Sequence, residues 1–116
     1  RTLLRRKGEV ILDTLSLGNV EFNISSSQLK CMDSGKGVRL NYKEGEMLKI
    51  FLSMPNIIIS KDDFITKIWG YDSDVGDNNV EAYISFLRKK LHFIGASIEI
   101  VSYKKLGYKI TERENG

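Results

Sequence analysis

The sequence predicts an α+β domain built from an N-terminal antiparallel sheet, three helices and a closing β-hairpin. Three observations carry that reading. Short branched and apolar runs separated by turn residues fill the chain up to residue 40, helix-period apolar stripes run from Asn41 to Ile94, and two more strand-like runs follow Gly95. At 116 residues, with 41% hydrophobic and 28% charged, the chain is near the commonest size for one globular domain and has enough apolar side chains for a core.

Residues 1–9 read as a short basic segment, helical or frayed, with Leu3 and Leu4 as its apolar positions and Gly8 as a stop. Runs at 10–12, 20–24, 28–32 and 38–40 are then broken by Gly18-Asn19, by serines at 25–27 and by the polar stretch 33–37, which predicts an antiparallel meander. Asn41, followed three residues later by Glu44, makes a capping signal for a first helix whose buried face is Met47, Leu48, Phe51 and Leu52. That helix is expected to end before Pro55, because the proline ring disfavours helical angles in the residue ahead of it.

Ser60 with Asp63 starts a second helix, with Phe64, Ile65, Ile68 and Trp69 as its apolar stripe and Gly70 as its end. The polar stretch 71–77 is a connection. The third helix has the clearest period in the chain: Val80, Ile84, Leu87, Leu91 and Ile94 step by four, three, four and three. At about 100° per residue, the opposite face holds Asn78, Ala82, Ser85, Phe86 and Lys89, flanked by Glu81 and Arg88. Runs at 97–102 and 107–111 then form a hairpin with Lys104 and Lys105 at its tip.

The net charge of +3 says little, but its distribution says more. Between Tyr83 and Lys109 there are six basic residues and one acid, whereas residues 60–82 hold two lysines and six acids. The third helix and hairpin therefore attract polyanions, and the segment before them does not. Cys31, the single cysteine, forms no internal disulfide and belongs to no metal-binding spacing, which fits a reducing compartment. The longest apolar runs are too short for a membrane span, so a soluble, cytoplasmic protein without membrane attachment is expected. The sequence carries no glycine-rich phosphate loop, HExxH or GxSxG, and His92, its one histidine, is expected on the polar side of the third helix; neither catalysis nor a cofactor is expected.

Strands, three helices and a basic-tipped hairpin, in that order, make a winged helix-turn-helix. The wording of four segments is more specific: VRLNYKEGEMLKIFL, MPNIIISKDDFITKIWGYD, NNVEAYISFLRKKL and SYKKLGYKI resemble, in order and spacing, the C-terminal effector domain of OmpR/PhoB-type response regulators. The similarity covers roughly residues 15–111, and RTLLRRKGE resembles the end of the preceding receiver domain and its linker. The resemblance thus divides the chain into a remnant at 1–9 and an effector domain at 10–116. It implies sequence-specific binding to double-stranded promoter DNA as the output of a two-component system. The partners it implies are a covalently linked N-terminal receiver phosphorylated by a sensor histidine kinase, RNA polymerase, and a second copy on direct repeats.

An α-helix fits the B-DNA major groove. On the third helix Asn78 and Ser85 can hydrogen-bond to bases or phosphates, Ala82 and Phe86 can touch thymine methyls, and Arg88 and Lys89 suit phosphates. Relatives often carry arginine where this chain has Ser85 and Phe86, which implies an A/T-richer target. In the hairpin, Lys104 matches the family's wing arginine and Ser102 a phosphate-contacting threonine; Lys105 replaces a usual glycine, and Gly107-Tyr108 match the family's Gly-Tyr pair, so the resemblance implies that Ser102, Lys104, Lys105 and Tyr108 meet DNA from the wing. Trp69 matches an aromatic near the DNA backbone, although an indole there is first of all a core residue. Gly45 stands where relatives have an apolar residue and weakens the first helix by roughly 1 kcal/mol relative to alanine. In the family the loop holding Tyr71, Asp72, Asp74 and Asp77 contacts RNA polymerase.

Second readings stand beside these. Asn78 suits a helix cap, Phe86 suits packing against the wing or another chain, and the acidic loop suits a solvated connection. The alternative for the whole domain is a winged-helix interaction module whose basic surface docks an acidic protein.

Overall fold

The computed structural model describes residues 13–70 and 77–113, with side chains from Asn79 onward in the second stretch. The basic opening segment, the run at 10–12 and residues 71–76 of the acidic connection, with Tyr71, Asp72 and Asp74, lie outside the described residues.

Strands β1 (Thr14–Leu17), β2 (Val20–Asn23), β3 (Gln28–Cys31) and β4 (Gly37–Arg39) form an antiparallel sheet in chain order. Its register aligns Leu15, Phe22, Leu29 and Val38 across one face, with Leu17, Val20 and Cys31 beside them. Glu21 and Lys30 stand opposite each other on the other face, so the sheet is apolar on one side only. Its first strand is a four-residue Thr-Leu-Ser-Leu alternation at Thr14–Leu17, where the sequence reading placed no run.

Helix α1 (Tyr42–Ser53) starts with the predicted capping box: the Asn41 side chain accepts from the Glu44 amide at 2.8 Å, and Glu44 Oε1 accepts from the Asn41 amide at 2.9 Å. Helix α2 (Lys61–Phe64) is capped by Ser60 and runs on as a π-helical turn, Ile65–Trp69, closed by the Gly70 amide donating to Ile65 and Thr66. Helix α3 (Asp77–Ile94) buries all five residues of its predicted stripe. It ends in a Schellman motif, with Gly95 at φ 80 and the amides of Gly95 and Ala96 donating to His92 and Leu91. No described helix is long and apolar enough to cross a membrane.

β5 (Ile98–Tyr103) and β6 (Gly107–Glu112) form the closing hairpin. A two-way bridge between Ile59 and Tyr108, at 2.8 and 2.9 Å, seats it against the connection between α1 and α2. Gly107, at φ 138, makes that approach possible, because a Cβ there would collide with the Ile59 carbonyl oxygen. The sheet is fastened to the far end of α3 by Asn19, whose side chain accepts from the Ser97 amide at 2.7 Å and donates to Gly95 O at 3.3 Å. One core joins all layers, with Phe22, Leu29, Met47, Leu48, Phe51, Phe64, Leu87 and Ile110 among its fully buried members.

Candidate nucleic-acid interface

The period of α3 determines what it shows to solvent. With Val80, Ile84, Leu87, Leu91 and Ile94 turned into the core, Ala82, Ser85, Phe86, Arg88 and Lys89 are all exposed. The helix begins at Asp77, so Asn78 stands in its first turn rather than ahead of it, and the side chains of Asp77 and Asn78 lie outside the described residues.

Phe86 divides its surface. Its ring meets the edge of Tyr83 at 5.6 Å, and 43% of the residue remains exposed. Tyr83 in turn packs on Trp69 at 5.6 Å, so an aromatic row runs from the end of the second helix onto the outward face of α3. Lys43 of α1 completes it, with Nζ 5.2 Å from the Trp69 ring while donating to Ile68 O at 3.1 Å. Trp69 is half-buried and packs against the core. Sequence reasoning found Trp69 and Phe86 but not Tyr83 and Lys43; the three-residue spacing of Tyr83 and Phe86 on one helix was the available signal.

Arg88 reaches the hairpin. Its Nε and Nη2 both donate to Ile100 O, at 3.2 and 2.9 Å, which fixes the guanidinium plane and engages two of its five N–H groups. The helix face and the wing are thereby tied together.

At the wing tip, Ser102, Lys104, Lys105 and Leu106 are exposed. The Leu106 amide donates to Tyr103 O at 2.9 Å, closing a turn whose third residue, Lys105, has φ 67. This left-handed conformation is the one a glycine takes without cost. Tyr108 is placed differently from the sequence expectation: it is only 7% exposed, and its backbone pairs with Ile59, so it frames the wing rather than presenting a surface. Between the start of α2 and the wing lies an open cleft of 730 Å³, lined by Ser60, Lys61, Asp62 and the stretch from Ser102 to Tyr108. Lysines and hydroxyls outnumber its one carboxylate, a lining that suits phosphate oxygens.

Residues 35–110 match the family model described as "Transcriptional regulatory protein, C terminal". The chain is 37% identical over 113 residues to the transcriptional regulatory protein DltR of Streptococcus agalactiae, a match that covers 97% of this chain and 50% of that protein. It thus spans about half the length of the curated relatives it matches. Among solved structures, the C-terminal domain of the nisin resistance regulator NsrR superposes with a TM-score of 0.70 at 28% identity, covering 86% of this chain and 99% of that one. The DNA-binding domain of Klebsiella pneumoniae RstA, solved in complex with the RstA box, gives 0.67 at 26% identity, covering 84% and 96%.

Proposed function

The chain belongs to the family of transcriptional regulatory protein C-terminal domains, and on that footing we propose that it reads double-stranded promoter DNA as the output domain of a two-component response regulator. The observation that carries the reading is the outward face of α3, where Ala82, Ser85, Phe86 and Lys89 are exposed beside a lysine-tipped wing tied to the same helix through Arg88. α3 enters the major groove, Ser85 donates to a base edge or phosphate, and Ala82 and Phe86 lie against thymine methyls. Lys89 and Arg88 contact phosphates; the Ile100 carbonyl already holds the Arg88 guanidinium, so little side-chain freedom is lost on binding. Lys104 enters the adjacent minor groove, and Ser102 and Lys105 take backbone contacts. Asn78 joins the groove-facing set, Trp69 turns its edge to the backbone, and Tyr108 supports the wing from beneath.

The whole protein's circuitry belongs to the same proposal. A receiver domain precedes this chain, a sensor histidine kinase phosphorylates it in the cytoplasm, and two copies pair on direct repeats. The acidic connection with Tyr71, Asp72, Asp74 and Asp77 meets RNA polymerase, and the domain itself turns over no substrate.

The test is selection from a random duplex library at one fixed, physiological salt concentration, repeated with Ser85→Ala and Lys104→Ala. Enrichment of a short A/T-leaning motif, weakened by both substitutions, is the expected result. Failure of the wild type to enrich any duplex, alone or joined to its receiver, favours an interaction module that docks an acidic protein.

A further inference from the structure

The consecutive cations Arg88, Lys89 and Lys90 look equivalent in sequence, yet they are placed in three different ways. Lys89 is exposed on the outward face, and Arg88 is bound to the wing strand. Lys90 turns the other way: at about 100° per residue, two residues of separation put it some 160° around the helix from Arg88. Its Nζ lies 2.6 Å from Glu44 Oε1 and donates to Arg39 O at 3.2 Å. Glu44 is 3% exposed, the one buried charged residue among those described, and the same Oε1 accepts from the Asn41 amide. The start of α1, through Glu44, and the end of β4, through Arg39 O, therefore both meet the flank of α3 at the Lys90 ammonium.

The pair is buried at one end only, the Glu44 side chain being 4% and the Lys90 side chain 32% exposed; desolvation of the carboxylate offsets much of the attraction, but a shifted helix leaves Glu44 buried without its partner. We infer that Lys90 is a positioning residue for DNA reading, one that fixes the rotation of α3 against α1 so that Ala82, Ser85 and Phe86 meet the base edges in register. Arg88 holds the opposite flank to the wing. Lys90 is not a phosphate contact, despite its place in a basic run. The inference rests on the DNA-binding reading of α3.

The experiment uses the 116-residue chain and its selected duplex beside a random duplex, with affinity followed against salt for wild type, Lys90→Met, Lys89→Ala and the double variant Glu44→Gln/Lys90→Met. The double variant leaves no lone buried charge and reports even where Lys90→Met folds poorly. Lys90→Met and the double variant are expected to lose about tenfold in affinity for the selected duplex, with little change on the random one and an unchanged salt slope. Lys89→Ala is expected to weaken both duplexes and lower the slope by about 0.9. A slope lowered by about 0.9 in Lys90→Met, with both duplexes weakened alike, would make Lys90 an ordinary phosphate contact and overturn the inference. Wild-type discrimination in the double variant would overturn it too, reducing the pair to a structural one. Absence of salt-dependent duplex binding by the wild type would instead overturn the DNA reading itself, and the inference with it.

Discussion

Replacing Lys105 separates two effects that the wing tip combines. Its φ of 67 is held by the turn that closes with the Leu106 amide on Tyr103 O, and a side chain in this conformation costs roughly 1 kcal/mol that glycine avoids. Glycine's added freedom in the unfolded chain returns about 0.5 kcal/mol of that, so Lys105→Gly is expected to be about 0.5 kcal/mol more stable than wild type. For a domain of this size that is a melting temperature roughly 2–4 °C higher. Lys105→Ala keeps the strained backbone and is expected to match wild type, about 0.5 kcal/mol less stable than Lys105→Gly. Both substitutions remove one cation from the phosphates, lowering the slope of log affinity against log salt by about 0.9. Between roughly 50 and 200 mM salt, each variant should therefore lose about threefold less affinity than wild type does. Circular dichroism melts and fluorescence-anisotropy titrations at several salt concentrations read the two quantities separately. Equal stability of the glycine and alanine variants would refute the strain argument, and an unchanged slope would remove Lys105 from the DNA.

Three further substitutions probe α1, the wing junction and the outward face of α3. Gly45 is buried inside α1, where an added Cβ would lie 3.5 Å from Phe22 Cζ and 3.6 Å from Ser27 Oγ, both ordinary contacts; Gly45→Ala is expected to gain about 1 kcal/mol in urea denaturation, with DNA affinity unchanged. Gly107→Ala forces a side chain against Ile59 O at φ 138, and a loss of at least about 2 kcal/mol is expected; a melt like that of wild type would show that the wing tolerates displacement. Phe86→Arg places a bidentate donor on the outward face and is expected to move the selected motif toward guanine, whereas an unchanged motif would mean that Phe86 is not a reader.

Local signals carried most of this fold into the sequence. The Asn41–Glu44 box, the Ser60 cap and the five-residue stripe of α3 each depend on side chains within a turn or two of one another, and each is present as read. The contacts that were not legible join distant segments. Lys90 is 46 residues from Glu44, and nothing in a run of three cations tells which one faces a buried carboxylate. Tyr108 reads as a surface aromatic of the wing until Ile59 pairs with its backbone, a contact that depends on how the chain turns after Pro55. β1 is legible only after the register of β2 shows what Leu15 and Leu17 pack beside. The outward face of α3 was legible because it is the complement of a strong apolar stripe.

On the proposed reading, the exposed face of α3 and the tip of the wing together meet the duplex. Backbone amide NMR of the labelled chain, titrated with its selected duplex, tests this most directly. The largest shifts are expected at Ala82, Ser85, Phe86, Lys89 and Ser102 through Leu106, with little change at Glu21 and Lys30 on the outer face of the sheet. Shifts concentrated on that sheet face, with α3 and the wing unmoved, would contradict that reading.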